Sequence, residues 1–259
     1  MIYKLISLIH PYFTKIGTNQ YGTKVLQHLI EFLHNEKNLI FLIENIQPHI
    51  INLINDLNGI HIIQKLLLIK SQYMQLILNT IYNNIDLIAV TREGSNFIMK
   101  KLCDLLDEQN IIMLLNSINQ KLDKIIIDQF GNFLIQNIIA RFDIRINYPI
   151  IENITNNLVN FSNQKFSSNV VEKCFETEMQ GNVIDEILKG NNYELILLNE
   201  YGNYVIQKAI NTADKNKQQL LLKAFVPLIV KLQKKPFGPK LIQKLLKNYP
   251  KLSIFIFKS

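Results

Sequence analysis

One short segment recurs seven times along this chain, and that recurrence constrains the fold more than any other feature. The copies are GTKVLQ ending at Gln27, GIHIIQ at Gln64, GSNFIM at Met99, GNFLIQ at Gln136, SSNVVE at Glu172, GNYVIQ at Gln207 and GPKLIQ at Gln243. Subtracting successive end positions gives spacings of 37, 35, 37, 36, 35 and 36 residues. The stretches between copies carry helical apolar patterns, such as Leu39 to Ile46 and Ile50 to Ile54 before Gly59, so each unit holds about three short helices. A unit of that size cannot bury its apolar side alone, and neighbours must stack into a solenoid. The chain has only 9 glycines and 7 prolines in 259 residues, whereas strand-rich folds need more turn punctuation. The expected class is all-α, and no linker-like stretch interrupts the array, so one domain is expected from end to end.

Helix geometry explains the segment. The five residues after the Gly form a pentad. Its first and fifth residues are four apart and share one face, with the second beside them. The third and fourth point the other way. They are Val25 and Leu26, Ile62 and Ile63, Phe97 and Ile98, Leu134 and Ile135, Val170 and Val171, Val205 and Ile206, and Leu241 and Ile242. All are apolar, so this face is expected to be core. The opposite face is expected to be open to solvent, yet it lacks the usual mixture of Lys and Glu. It pairs Asn132 with Gln136, Ser168 with Glu172 and Asn203 with Gln207, beside the flat rings of His61, Phe133 and Tyr204. Lys65, Lys100, Lys173, Lys208 and Lys244 each follow a pentad and are candidate phosphate contacts. A stripe of amides, carboxylate, rings and lysines suits splayed single-stranded bases, which offer edges to hydrogen-bond, faces to stack on and phosphates to neutralise. The net charge of +7 agrees with a polyanionic partner.

At this point the chain resembles the Pumilio/PUF family, most closely in SSNVVEKC (167–174) and GNYVIQKAI (202–210), and the likeness runs from about Tyr12 to Tyr249. The resemblance implies a right-handed α-solenoid, a crescent of three-helix repeats of about 36 residues whose concave face binds RNA. It implies six RNA-reading repeats, near 12–48, 49–83, 84–120, 121–156, 157–191 and 192–227, and a C-terminal cap at 228–259. The family usually has eight reading repeats. The pentads here match the order of the last six, so the expected site is about six bases. The resemblance also implies that the chain runs antiparallel to the RNA. First and fifth pentad residues would contact base edges, and the second residues Tyr204, Asn169, Phe133, Asn96, His61 and Lys24 would stack. Carried over residue by residue, Asn203 with Gln207 reads U, Ser168 with Glu172 reads G, and Asn132 with Gln136 reads U. The glutamate can accept from guanine N1–H and N2–H together, which no other base offers. Ser95 with Met99 and Ile60 with Gln64 depart from the pattern, and Thr23 with Gln27 is near the combination for A. The expected element is 5′-UGU-(A or other)-N-A. Pro239 replaces a base-reading residue in the cap segment.

The resemblance implies an mRNA regulator of 3′ untranslated regions, cytoplasmic and monomeric. It would recruit deadenylase or translational-repressor proteins through its convex face, with the loop at Gly190 to Tyr193 a candidate surface. Two alternatives stay open: a PUF-like ribosome-biogenesis factor that binds RNA with less sequence dependence, and a protein-binding scaffold like armadillo or HEAT arrays, whose period is longer, at roughly 40–47 residues. No nucleophile motif, phosphate loop or zinc signature is present, so neither an enzyme nor a cofactor is expected. Cys103 and Cys174 lack metal-ligand spacing and read as buried thiols. His10, His28, His34 and His49 also lack it, and Asp104 and Asp107 read as a solvated face. Met1 to Phe13 reads as a first helix, not a signal peptide, and no uncharged apolar run reaches 18 residues.

Overall fold

The computed structural model describes residues 2–33, 35–69, 73–250 and Leu252, and among them there is no strand. The first helices are α1 (Ile2–Ile9), a 3₁₀ turn (His10–Tyr12), α2 (Phe13–Gly17) and α3 (Gly22–Phe32), the last carrying the first pentad. Then come α4 (Glu36–Ile46), a 3₁₀ turn (Gln47–His49), α5 (Ile50–Ile54) and α6 (Ile60–Leu68). The third set is α7 (Met74–Asn83), α8 (Ile85–Ile88), α9 (Arg92–Phe97), a π-helical turn (Ile98–Leu102) and α10 (Cys103–Leu105). It is followed by α11 (Glu108–Gln120), α12 (Leu122–Ile125) and α13 (Gly131–Arg141). The remaining sets are α14 (Ile144–Asn156), α15 (Leu158–Ser162) and α16 (Ser167–Cys174), then α17 (Gln180–Ile187), α18 (Asn192–Leu197) and α19 (Gly202–Thr212). Last are α20 (Lys215–Phe225), a 3₁₀ turn (Val226–Leu228), α21 (Ile229–Gln233) and α22 (Gly238–Asn248). The rhythm of long, short and pentad-bearing helix makes this an all-α solenoid.

The helices cluster into two compact units, 1–137 and 138–259, with the division falling inside α13. Within the first unit α3 packs on α6, and α5 on α6. Within the second, α16 packs on α15 and α19, and α19 on α18. Pentad helix therefore meets pentad helix in both. The third and fourth pentad residues from Ile62 to Ile206 are buried, each worth about 1.5–3 kcal/mol relative to exposure. Val25 corrects the expectation of an unbroken core face, because it is 63% exposed. Ile242, at the fourth position of α22, is only half-buried.

Each pentad helix starts at a close approach of backbone to backbone. A Cβ on Gly22 or Gly131 would overlap the carbonyl oxygen of Ile16 or Ile125, six residues back in the short helix before it. In the fifth unit Ser167 takes this place, and its Oγ donates to the Phe161 carbonyl at 2.7 Å.

Candidate RNA interface

Five of the first six pentad helices have a side chain four residues ahead of the pentad that accepts from the amides at the helix start. Asn19 accepts from the amides of Tyr21 and Gly22, Asp56 from Asn58 and Gly59, Asp128 from Phe130 and Gly131, and Asn199 from Tyr201 and Gly202. Thr91 does the same for Gly94 in the third. These caps satisfy the first amides of the helix, so the pentad side chains are left for other work. The Asn/Asp-x-x-Gly spacing that marks four of them was readable in the sequence.

The first pentad residues are not open to solvent as expected. Thr23, Ser95, Asn132, Ser168 and Asn203 are between 1 and 5% exposed. The cause is close packing against the loop before their own helix or the next one. Thr23 Oγ1 donates to the Asn58 carbonyl at 2.8 Å and Ser95 Oγ to the Phe130 carbonyl at 3.4 Å. Asn132 Nδ2 donates to the carbonyls of Asp128 and Gln129, and Asn203 Nδ2 to those of Asn199 and Glu200. These two asparagines then orient the fifth residue: Gln136 Nε2 donates to Asn132 Oδ1, and Gln207 Nε2 to Asn203 Oδ1, each at 3.0 Å. Gln27 Nε2 makes the same kind of bond to Thr23 Oγ1 at 3.1 Å. The first residue thus acts as a buried anchor for the fifth, which is half-buried in Gln27, Gln136 and Glu172 and, at 8% exposed, buried in Gln207.

Ser168 Oγ reaches only the Lys165 carbonyl, at 3.5 Å. Glu172 is half-buried, and burial pushes its carboxyl above the usual glutamate range, with Lys208 pulling the other way. The second residues stand outward. Phe133 and Tyr204 are each 57% exposed, His61, Lys24 and Asn169 are exposed, and Asn96 is half-buried.

The second and third pentads are built differently. Ile60 offers no polar group. In the third, the helix widens to π-helical over Ile98–Leu102, with the Cys103 amide donating to the Ile98 carbonyl. A cavity of about 520 Å³ lies between these two helices, lined by Ile60, His61, Gln64, Asn96 and Lys100 among others.

Four of the five lysines after the pentads have protein partners. Lys65 pairs with Glu31, Lys173 and Lys208 both with Glu176, and Lys244 Nζ donates to Gln207 Oε1. Lys100 is exposed. The loop at Gly190 to Tyr193 also differs from expectation: the Tyr193 ring turns into the core, leaving Gly190 and Asn191 exposed.

Other sequence candidates take structural places. His10, Phe13 and His49 form an edge-to-face cluster, His49 Nδ1 lies 2.8 Å from Thr14 Oγ1, and His28 pairs with Glu31. His34 lies outside the described residues. Asp107 caps α11 and Asp104 is exposed. Cys103 and Cys174 are buried, and burial raises the Cys174 thiol to about 12. Among the described residues no group of acidic, His or Cys side chains could hold a metal ion, and no helix is long and apolar enough to cross a membrane.

Stacked helical units with one polar pentad each define the class, an α-solenoid of tandem repeats. The Pumilio-family RNA-binding repeat matches residues 12–46, 123–155, 157–188 and 196–224. The chain belongs to the Pumilio/PUF family. Among its relatives, the Pumilio domain-containing protein C6G9.14 of Schizosaccharomyces pombe is 28% identical over 249 residues, 95% of this chain and 36% of that protein. Suppressor protein MPT5 of Saccharomyces cerevisiae is 35% identical over 180 residues, 65% of this chain and 21% of that protein. The chain thus spans well under half of these relatives. In structure it resembles the Puf4 RNA-binding domain bound to an HO endonuclease RNA 3′ UTR recognition sequence, with a TM-score of 0.71 and 29% identity over 92% of this chain and 78% of that one. It also resembles the yeast Puf5p RNA-binding domain bound to SMX2 RNA, with a TM-score of 0.71 and 26% identity over 97% of this chain and 79% of that one.

Proposed function

We propose that this protein binds single-stranded RNA sequence-specifically, reading a 5′-UGU element through α19, α16 and α13 in that order. The observation that carries the reading is the repeated hydrogen-bond unit in α13 and α19. In both, a buried Asn tied to two backbone carbonyls anchors a Gln beside an exposed ring. Between them in sequence, α16 carries a carboxylate in place of the amide. Amide, carboxylate, amide matches the edges of U, G and U.

The fourth and fifth bases are read loosely, because Ile60 and Met99 cannot form an edge pair and the helices there leave a wide cavity. The sixth base faces Thr23 and Gln27 and is A. The protein has no chemistry of its own. It acts in the cytoplasm as a monomer on mRNA 3′ untranslated regions, and represses by recruiting deadenylase or translational-repressor proteins through surfaces away from the pentads.

In vitro selection with the purified chain at physiological salt tests the reading, and an enriched UGU core is the expected result. Equal binding of UGU and scrambled RNAs removes it in favour of a less selective RNA-binding role, and peptide binding without RNA binding favours a scaffold. Residue assignment is tested by the double substitution Ser168→Asn and Glu172→Gln. It should move the second-base preference from G to U by about 1–3 kcal/mol. A double variant that still selects G sinks the assignment of α16.

A further inference from the structure

We propose that Lys244, which lies outside every base-reading pentad, is a positioning residue for specificity: it holds the Gln207 amide in the orientation that reads uracil and rejects cytosine. The inference rests on the proposed reading of the first base by α19. A glutamine amide has a donor side and an acceptor side, which exchange on a half-turn about its last bond. Uracil and cytosine differ in the matching way. Uracil offers an N3–H donor beside the O4 acceptor, and cytosine an N3 acceptor beside the N4 amine. An amide that turns freely therefore accepts either pyrimidine.

Gln207 is fixed from two sides. Its Nε2 donates to Asn203 Oδ1 at 3.0 Å. Asn203 cannot turn over to suit a flipped partner, because its own Nδ2 donates to the carbonyls of Asn199 at 3.1 Å and Glu200 at 2.7 Å. On the other side Lys244 Nζ, from α22, donates to Gln207 Oε1 at 2.7 Å. An ammonium has no acceptor site, so a flipped Gln207 would set NH₂ against NH₃⁺ and oxygen against oxygen. The remaining Oε1 lone pair and the second Nε2–H are left for an acceptor-plus-donor contact, which uracil satisfies. A bond to a charged donor is about twice as strong as one between neutral amides, so Lys244 is the stronger anchor.

The neighbouring pair repeats the relation. Lys208, the residue after its own pentad, acts electrostatically on Glu172, the fifth residue of the preceding pentad. Gln136 supplies the contrast: it has the Asn132 anchor, while Lys173 is engaged by Glu176. The first base should depend on its lysine and the third should not.

Affinities of the full chain for UGUAUA, CGUAUA, UGCAUA and a scrambled hexamer, at fixed salt, test this. Lys244→Met, which keeps the aliphatic stem, should cut the U-over-C preference at the first base about tenfold. The third-base preference should not change, and Lys244→Arg, which retains a cationic donor, should restore the first. Thermal unfolding of the exposed-site variants should match the parent. Equal weakening on every RNA, with a shallower salt dependence, would make Lys244 a phosphate contact and overturn the inference. An unchanged U-over-C ratio overturns it as well. A wild-type chain indifferent between UGUAUA and the scramble fails earlier, at the proposed function.

Discussion

At the scale of single residues, the carboxylate of Glu172 has the most to lose from its surroundings. Burial raises its pKa, and Lys208 only partly offsets that. A carboxyl raised in the folded state binds its proton more readily there than in the unfolded chain. Its stabilising contribution is therefore full in acid and fades as pH rises through the folded pKa. Glu172→Gln should then unfold at a higher temperature than wild type near pH 7, with the gap closing by about pH 4. Thermal melts at the two pH values check this, and a variant less stable at both would refute it. Recognition runs in the opposite direction. Protonation removes the acceptor proposed to read guanine, so on that reading selection of G over A at the second base should fade in mild acid while the two uracil positions hold. The identity of this residue was legible in the pentad, but its half-buried setting was not.

At the scale of the element, each reading helix depends on what happens just before it begins. The Asp128 side chain accepts the amides of Phe130 and Gly131, and Asn132 meets Asp128 through the backbone carbonyl, not that side chain. Asp128→Ala should therefore cost about 1 kcal/mol of stability, a drop of about 2–4 °C in Tm for a chain of this size. Base preference should stay intact. A changed preference at the third base would mean that the cap also places the reading residues. The caps were visible as an Asx residue three before the glycine. The π-helical turn at Ile98–Leu102 was not, since IMKKL contains no helix breaker. Ile98 and Leu102 are fully inaccessible and Cys103 nearly so, and core packing holds that turn.

At the scale of the whole molecule, the lysines that follow the pentads are not five free charges. Lys65, Lys173 and Lys208 are already paired with Glu31 and Glu176. Five lysines neutralising five phosphates would give a log–log salt slope near about −3.5, at about −0.7 for each. Titrations of UGUAUA across a salt series should give a shallower slope. A slope that steep would show the ion pairs opening to release their lysines.

Periodicity belongs to the chain itself, so the seven spaced segments, the helical class and the three intact pentads could all be read from sequence. Partner choice belongs to the folded state, where residues some 35 positions apart meet within hydrogen-bond distance, as Thr23 does with the Asn58 carbonyl and Lys244 with Gln207. Only the packed helices decided that the first pentad residues are buried anchors, that most lysines face protein acceptors and that Val25 is left uncovered. A helical wheel assigns a direction to each side chain, but burial and hydrogen bonding depend on what the neighbouring repeat brings to meet it.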